Sequence, residues 1–283
     1  MNIINNIKLR FNQANIVEKT ISINVAVFIL LFILNTLGFL FQINGSIAEW
    51  FVLPATLESF IIKPWTIITY GFIHVDFIHI LMNLISLYFI GNLFVQYFTP
   101  KQFISFYILG TLFGGIVFLL SYNLFPAFSN DVSNSILLGA SAGVSAIFIG
   151  LATYIPKYQL KIPLIGFVKL WHLAAIWVAL DVIQIPAGNA GGRLAHIGGA
   201  LFGFFYVNQA SNSEIAILSK IKNFFFSKNK PLKTVYKTNK STKKQANTTY
   251  KQQKINVILD KISKSGYDTL SKEEKDFLFK QGK

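Results

Sequence analysis

The 283-residue sequence contains no cysteine, which excludes disulfide staples, thiol nucleophiles and thiolate metal sites. Charge is scarce too: Asp, Glu, Lys and Arg make up 13% of the chain, against about 25% in ordinary soluble domains. Arginine is almost missing, with only Arg10 and Arg193 beside 24 lysines, an imbalance that suggests an AT-rich bacterial genome. There is no aromatic stacking module among the basic stretches, so nucleic acid is not an expected partner. Internal repeats with paired broken helices are also lacking, which argues against a small-solute transporter.

Apolar residues fill the gap. The chain is 53% hydrophobic and 15% aromatic, an excess that needs a solvent other than water. Residues 22–42 form an uncharged run of about the 20 residues that cross a bilayer core. Further candidate spans lie at about 78–98, 102–122, 137–155, 170–187 and 194–210, the fourth and sixth short and glycine-rich. The expected fold class is an all-α membrane protein with six transmembrane helices and a basic cytoplasmic C-terminal tail.

Residues 1–21 place Ile3, Ile4, Ile7 and Phe11 near one helical face, as in a helix lying on a membrane surface. They do not read as a signal peptide, because charge extends to Lys19 and the apolar run behind is too long. Residues 22–210 then form the membrane domain. With both termini cytoplasmic, Lys8, Arg10, Lys19, Lys101, Lys157, Lys161, Lys169 and the tail fall inside, and only Lys63 and Arg193 fall outside. The tail beyond residue 210 holds 17 Lys and 6 Asp or Glu, so +11 of the formal net charge of +14 sits there, an expected contact for anionic lipid. Residues 211–252 read as a flexible basic linker. Residues 253–283 read as a helical hairpin, with Gly266 closing its first helix and Ser271 capping its second.

Polar groups inside apolar helices are costly and so mark function by default. His74, His79 and Asn83 stand near the start of the second span in HVDFIHILMN, Ser141 near the start of the fourth, and His196 near the start of the sixth. Even-numbered spans run in one direction, so these side chains share a level within roughly the outer 10 Å of the bilayer at 1.5 Å rise per residue. Gly139 and Gly143 with Ala142 and Ala146 on the fourth span face a similar pattern, Ala195, Gly199 and Gly203, on the sixth. Small residues at this spacing let backbones approach, and a short serine side chain needs that approach to reach His196. The same glycines would equally serve as ordinary packing contacts.

GASAG at 139–143 also spells the nucleophile elbow of soluble α/β-hydrolases, and Ser141, Asp181 and His196 follow the order of their triads. A polar loop before the serine, in place of an apolar strand, argues against an elbow. Asp181 is expected to pair with another buried polar group or to line water, since a histidine can act as base without a third member. No metal is expected: the three histidines lack an H-E-x-x-H and a carboxylate at useful spacing.

Taken together, His74, His79 and Asn83 in HVDFIHILMN, GAS at 139–141 and AHIGG around His196 resemble the rhomboid family of intramembrane serine proteases, over roughly residues 45–210. The tail is similar to those of some Bacteroidetes-type members. The resemblance implies a six-helix core with Ser141 as nucleophile and His196 as general base. It implies His79 and Asn83 as oxyanion donors and His74 as a structural histidine, without any cofactor. Single-span membrane proteins would be the substrates, cut near the outer face of a bacterial cytoplasmic membrane. The alternative is a silent relative that only holds membrane clients, although such relatives generally lose the serine or the histidine. Trp65 matches the tryptophan of the family's Trp-Arg pair, but Thr66 replaces its arginine and Val95 a common glutamate. Ala142 follows the nucleophile where glycine is common, and Ser145 stands where an aromatic ring often packs on the histidine.

Overall fold

A computed structural model describes residues 3–42, 45, 47–163, 165–212 and 242–281. The chain divides into two units, Met1–Ser219 and Lys220–Lys283.

In the first unit, α1 (Ile3–Gln13) is followed by α2 (Ile16–Leu40). The break is at Asn15, whose side chain accepts the Glu18 N–H while Glu18 accepts the Asn15 N–H, both at 2.9 Å. This reciprocal cap assigns residues 16–21 to α2 and shortens the expected amphipathic segment. Helix α2 keeps Phe32, Phe39 and Leu40 exposed, as a helix facing hydrocarbon does.

After β1 (Leu53–Pro54), α3 (Leu57–Ile62) and α4 (Thr66–Thr69) comes α5 (Phe77–Phe94), capped by Asp76 through the N–H groups of Ile78 and His79. Helix α6 (Pro100–Leu124) starts with proline at its first position and a Thr99–Gln102 capping box. Next follow β2 (Ile136–Leu137), α7 (Ser141–Tyr154), the strands β3 (Gln159–Ile162) and β4 (Gly166–Lys169), α8 (Leu170–Ile183) and α9 (Ala190–Asn212). The expected all-α description omitted the two small antiparallel pairings, β1 with β2 and β3 with β4.

Helices α2, α5 and α6 are long and apolar enough to cross a membrane. Helices α7 and α8 have 14 residues each, about 21 Å at 1.5 Å per residue, short of a hydrocarbon core of about 30 Å. The sequence suggested that the sixth span was short, but α9 runs for 23 residues and α8 is the short partner of α7. A helix apolar on all sides belongs in a core, and every residue of α7 from Ala142 to Ala152 is buried. Helices α6 and α9 close on it through small residues. A Cβ on Gly110 or Gly203 would collide with Ala146, and one on Gly199 with the Ala142 carbonyl oxygen.

In the second unit, α10 (Thr242–Ser265) and α11 (Lys272–Gln281) flank Gly266, whose φ is +83°. Ser271 and Glu274 cap α11 reciprocally, and Lys261 pairs with Glu274 at 2.9 Å. The expected linker over 211–252 is helical from Thr242, while its residues 213–241 lie outside the described ones. So do residues 282–283.

Candidate active site

Ser141 is the first residue of α7, and the chain reaches it by a sharp turn. Strand β2, which ends four residues earlier, pairs with β1, with Leu137 opposite Leu53, and Gly139 takes φ +112°, a conformation that side chains rarely adopt. The Gly139 N–H donates to the Tyr70 carbonyl at 2.9 Å. Tyr70 is itself fixed, its hydroxyl donating to the Thr111 carbonyl at 2.6 Å. A two-residue strand therefore precedes the serine where a polar loop was expected. The turn shares strand, positive φ and helix with a nucleophile elbow, inside a helical bundle. At the first position of a helix the Ser141 backbone N–H has no intrahelical acceptor.

The histidines of the second segment gather around this turn. A Cβ on Gly139 would stand 2.7 and 2.8 Å from His79 Cε1 and Nε2, and 3.9 Å from Asn83 Nδ2, so the glycine opens the space between the serine turn and both candidate donors. His74, 1% exposed, accepts the Ala140 N–H at Nε2 at 3.3 Å, and Asn83 Nδ2 lies 3.3 Å from the same nitrogen. An acceptor at Nε2 requires the neutral ring with its proton on Nδ1. Burial, with the neighbouring His79 adding to it, pushes the His74 pKa down from 6.5 to about 4. Asn83 also donates to the His79 carbonyl at 3.1 Å, so its amide is engaged while no oxyanion is present.

His196 stands on the second turn of α9, three residues after Arg193 and three before Gly199. The contact of Gly199 with the Ala142 carbonyl sets the α9 backbone against the residue after Ser141. Gly114 of α6 joins the same junction, where a Cβ would meet Ala142 Cβ at 2.6 Å and the Ala195 carbonyl at 2.8 Å. Among the described residues no hydrogen bond links Ser141 Oγ to His196. Such bonds commonly tighten only when substrate is bound.

Asp181 of α8, 3% exposed, carries the surprise. Its Oδ1 lies 2.9 Å from His196 Nδ1 and 3.1 Å from Arg193 Nη1. The expected partner was another buried polar group; Arg193 is only partly buried, and the same oxygen also engages the candidate base. Trp177, one turn earlier on α8, places its ring centroid 6.2 Å from that of His196. The ring that sequence comparison misses at Ser145 is thus met by one from α8. The arginine missing at Thr66 leaves that residue buried, its hydroxyl donating to the Lys63 carbonyl at 2.6 Å. Trp65 Nε1 donates to the Trp50 carbonyl at 2.8 Å. The sequence reading took Arg193 only as a charge on the outer side and did not single out Trp177, although the i, i+3 spacing in R-L-A-H and the i, i+4 spacing of Trp177 and Asp181 were visible signals.

Residues 62–212, more than half of the chain, match the Rhomboid domain. The chain belongs to the rhomboid family. The chain is 33% identical over 145 residues to "RHOMBOID-like protein 12, mitochondrial" of Arabidopsis thaliana, covering 48% of this chain and 43% of that protein. It is 30% identical over 141 residues to "Presenilin-associated rhomboid-like protein A, mitochondrial" of Danio rerio, covering 48% and 35%. The match thus spans less than half the length of these relatives. Residues 241–280 match a second family, of unknown function, designated DUF6576, which coincides with the α10–α11 unit.

Proposed function

We propose that this rhomboid is an intramembrane serine endopeptidase working through Ser141 and His196. The observation that carries the reading is the junction at Gly199, which sets the base-bearing helix against the first turn of the nucleophile's helix, with His79 and Asn83 around Gly139 on the other side. His196 Nε2 takes the Ser141 Oγ proton as Oγ bonds to the scissile carbonyl carbon, and returns it to the leaving amine as the C–N bond breaks. A water then repeats the attack on the acyl-enzyme. The intermediate's oxyanion meets the free Ser141 N–H, His79 Nε2–H and the Asn83 amide, which turns from its resting partners.

Six helices, α2 and α5 to α9, form the membrane domain in this reading, with both termini cytoplasmic and the basic tail against anionic lipid. Ser141 then opens a helix too short to cross the bilayer, where loop segments admit water. Substrates are single-span membrane proteins with small residues at the cut and a destabilised helix, in the cytoplasmic membrane of a bacterium. The relatives' names place those proteins in mitochondria.

The experiment is cleavage in proteoliposomes of a single-span test protein whose helix is weakened near one end by glycine and proline. Wild type releases two fragments and Ser141→Ala none. A wild-type chain that leaves the test protein whole and yet co-purifies with it after detergent solubilisation supports the second reading, a client-holding protein. That reading has one observation in its favour: the Asn83 amide is already engaged by His74 and His79.

A further inference from the structure

We infer that Asp181 is a positioning residue that, with Arg193, holds His196 in the one tautomer able to act as base. The inference rests on the Ser141–His196 reading. An ionised carboxylate only accepts hydrogen bonds, so its Oδ1 at 2.9 Å from His196 Nδ1 puts the ring proton on Nδ1 and leaves the Nε2 lone pair free. Without that partner, a neutral imidazole divides its proton between the two nitrogens, and a ring carrying it on Nε2 offers Ser141 a donor in place of an acceptor.

A carboxylate that is 3% exposed needs its own compensation, because removing a charge from water is costly unless a partner answers it. Arg193 Nη1 at 3.1 Å supplies this. Arg193 and His196, three apart on α9, approach the single oxygen together, so α9 is docked on α8 by the same bonds that orient the base. Trp177, one turn earlier on the same face of α8, has its ring centroid 6.2 Å from that of His196. In the acyl-transfer step Oγ loses its proton to Nε2, the ring becomes an imidazolium, and Asp181 keeps its charge beside it without taking a proton. The ion pair in the resting state becomes a triple array of Arg193, Asp181 and His196 in the charged state.

A buried ion pair that merely docks two helices is the competing role, and the two part under substitution. Asp181→Asn keeps the shape and removes the charge, and Asp181→Asn with Arg193→Gln removes the pair without leaving a lone cation. The test uses the full chain in proteoliposomes and reads kcat and KM for a single-span substrate, thermal stability, and the 15N NMR tautomer of His196 in a Ser141→Ala background. The expected result for Asp181→Asn is a kcat lower by at least about 100-fold, with KM within about threefold and a His196 proton spread over both nitrogens. In the double variant, thermal stability recovers but kcat does not. Recovery of kcat in the double variant, or an unchanged Nδ1 tautomer in Asp181→Asn, overturns the inference. If wild type itself does not turn over, the protease reading fails, and the tautomer measurement still decides the role of Asp181.

Discussion

Gly199 of α9 sits so close to the carbonyl oxygen of Ala142 in α7 that a side chain of any size would collide with backbone. Backbone cannot swing aside as a flexible side chain does, so Gly199→Ala must push the two helices apart. Forced overpacking of this kind costs about 1–3 kcal/mol, and the displacement also withdraws His196 from Ser141. Cleavage by Gly199→Ala is expected to fall at least about tenfold, as a small misplacement of reacting groups does. The control is Gly38→Ala on α2, where nothing lies within 4 Å of the added Cβ; initial cleavage rates of both variants check this.

Gly139 carries a different constraint. Its φ of +112° strains any other residue, and a Cβ there would press on the His79 ring at 2.7 Å. Gly139→Ala is expected to lose both the serine turn and the position of one oxyanion donor. A loss of about 100-fold or more in kcat is the expected outcome, measured beside thermal stability to separate misplacement from unfolding.

His79→Ala and Asn83→Ala each remove one candidate donor while leaving Ser141 and His196 in place. Each is expected to lower kcat by about 100 to 1000-fold. KM should change little, because the oxyanion exists only along the reaction path. Steady-state kinetics with one substrate check both.

How much of this was legible beforehand follows from the length scale of each signal. The helices α2, α5 and α6 announced themselves because long apolar runs need no partner to be recognised, α7 and α8 as shorter apolar stretches, and Ser141, His79, Asn83 and His196 stood out as polar residues in apolar surroundings. Strand β2 has two residues and no periodicity to read, so the strand before Ser141 was missed. The β3–β4 hairpin alternates in Q-L-K-I and F-V-K, but its four-residue strands were absorbed into a connection. Asp181 was visible as a costly residue, yet its two partners depend on how α8 lies against α9, which no local pattern states. The start of α10 at Thr242 was hidden by a Lys, Asn, Thr and Gln-rich composition that resembles a linker.

His74 gives a pH prediction with a definite sign. Its folded pKa of about 4 lies below the 6.5 of an unfolded histidine, so between these values the unfolded chain takes up a proton that the native ring refuses. Stability from this site is complete above about pH 6.5 and declines as pH falls toward 4, by roughly 3 kcal/mol in all. Protonated Nε2 also ceases to accept the Ala140 N–H, loosening the turn before Ser141. Thermal unfolding between pH 7.5 and 4.5 should show the decline, and His74→Gln, though less stable at neutral pH, should show a flatter one.

Every step above depends on Ser141 being a nucleophile that His196 activates. A fluorophosphonate probe applied to native membranes, with mass-spectrometric location of the adduct, reads this without any substrate. Wild type is expected to carry an adduct on Ser141, and Ser141→Ala and His196→Ala none. An unlabelled wild type, or equal labelling of Ser141→Ala, would overturn the serine-histidine assignment.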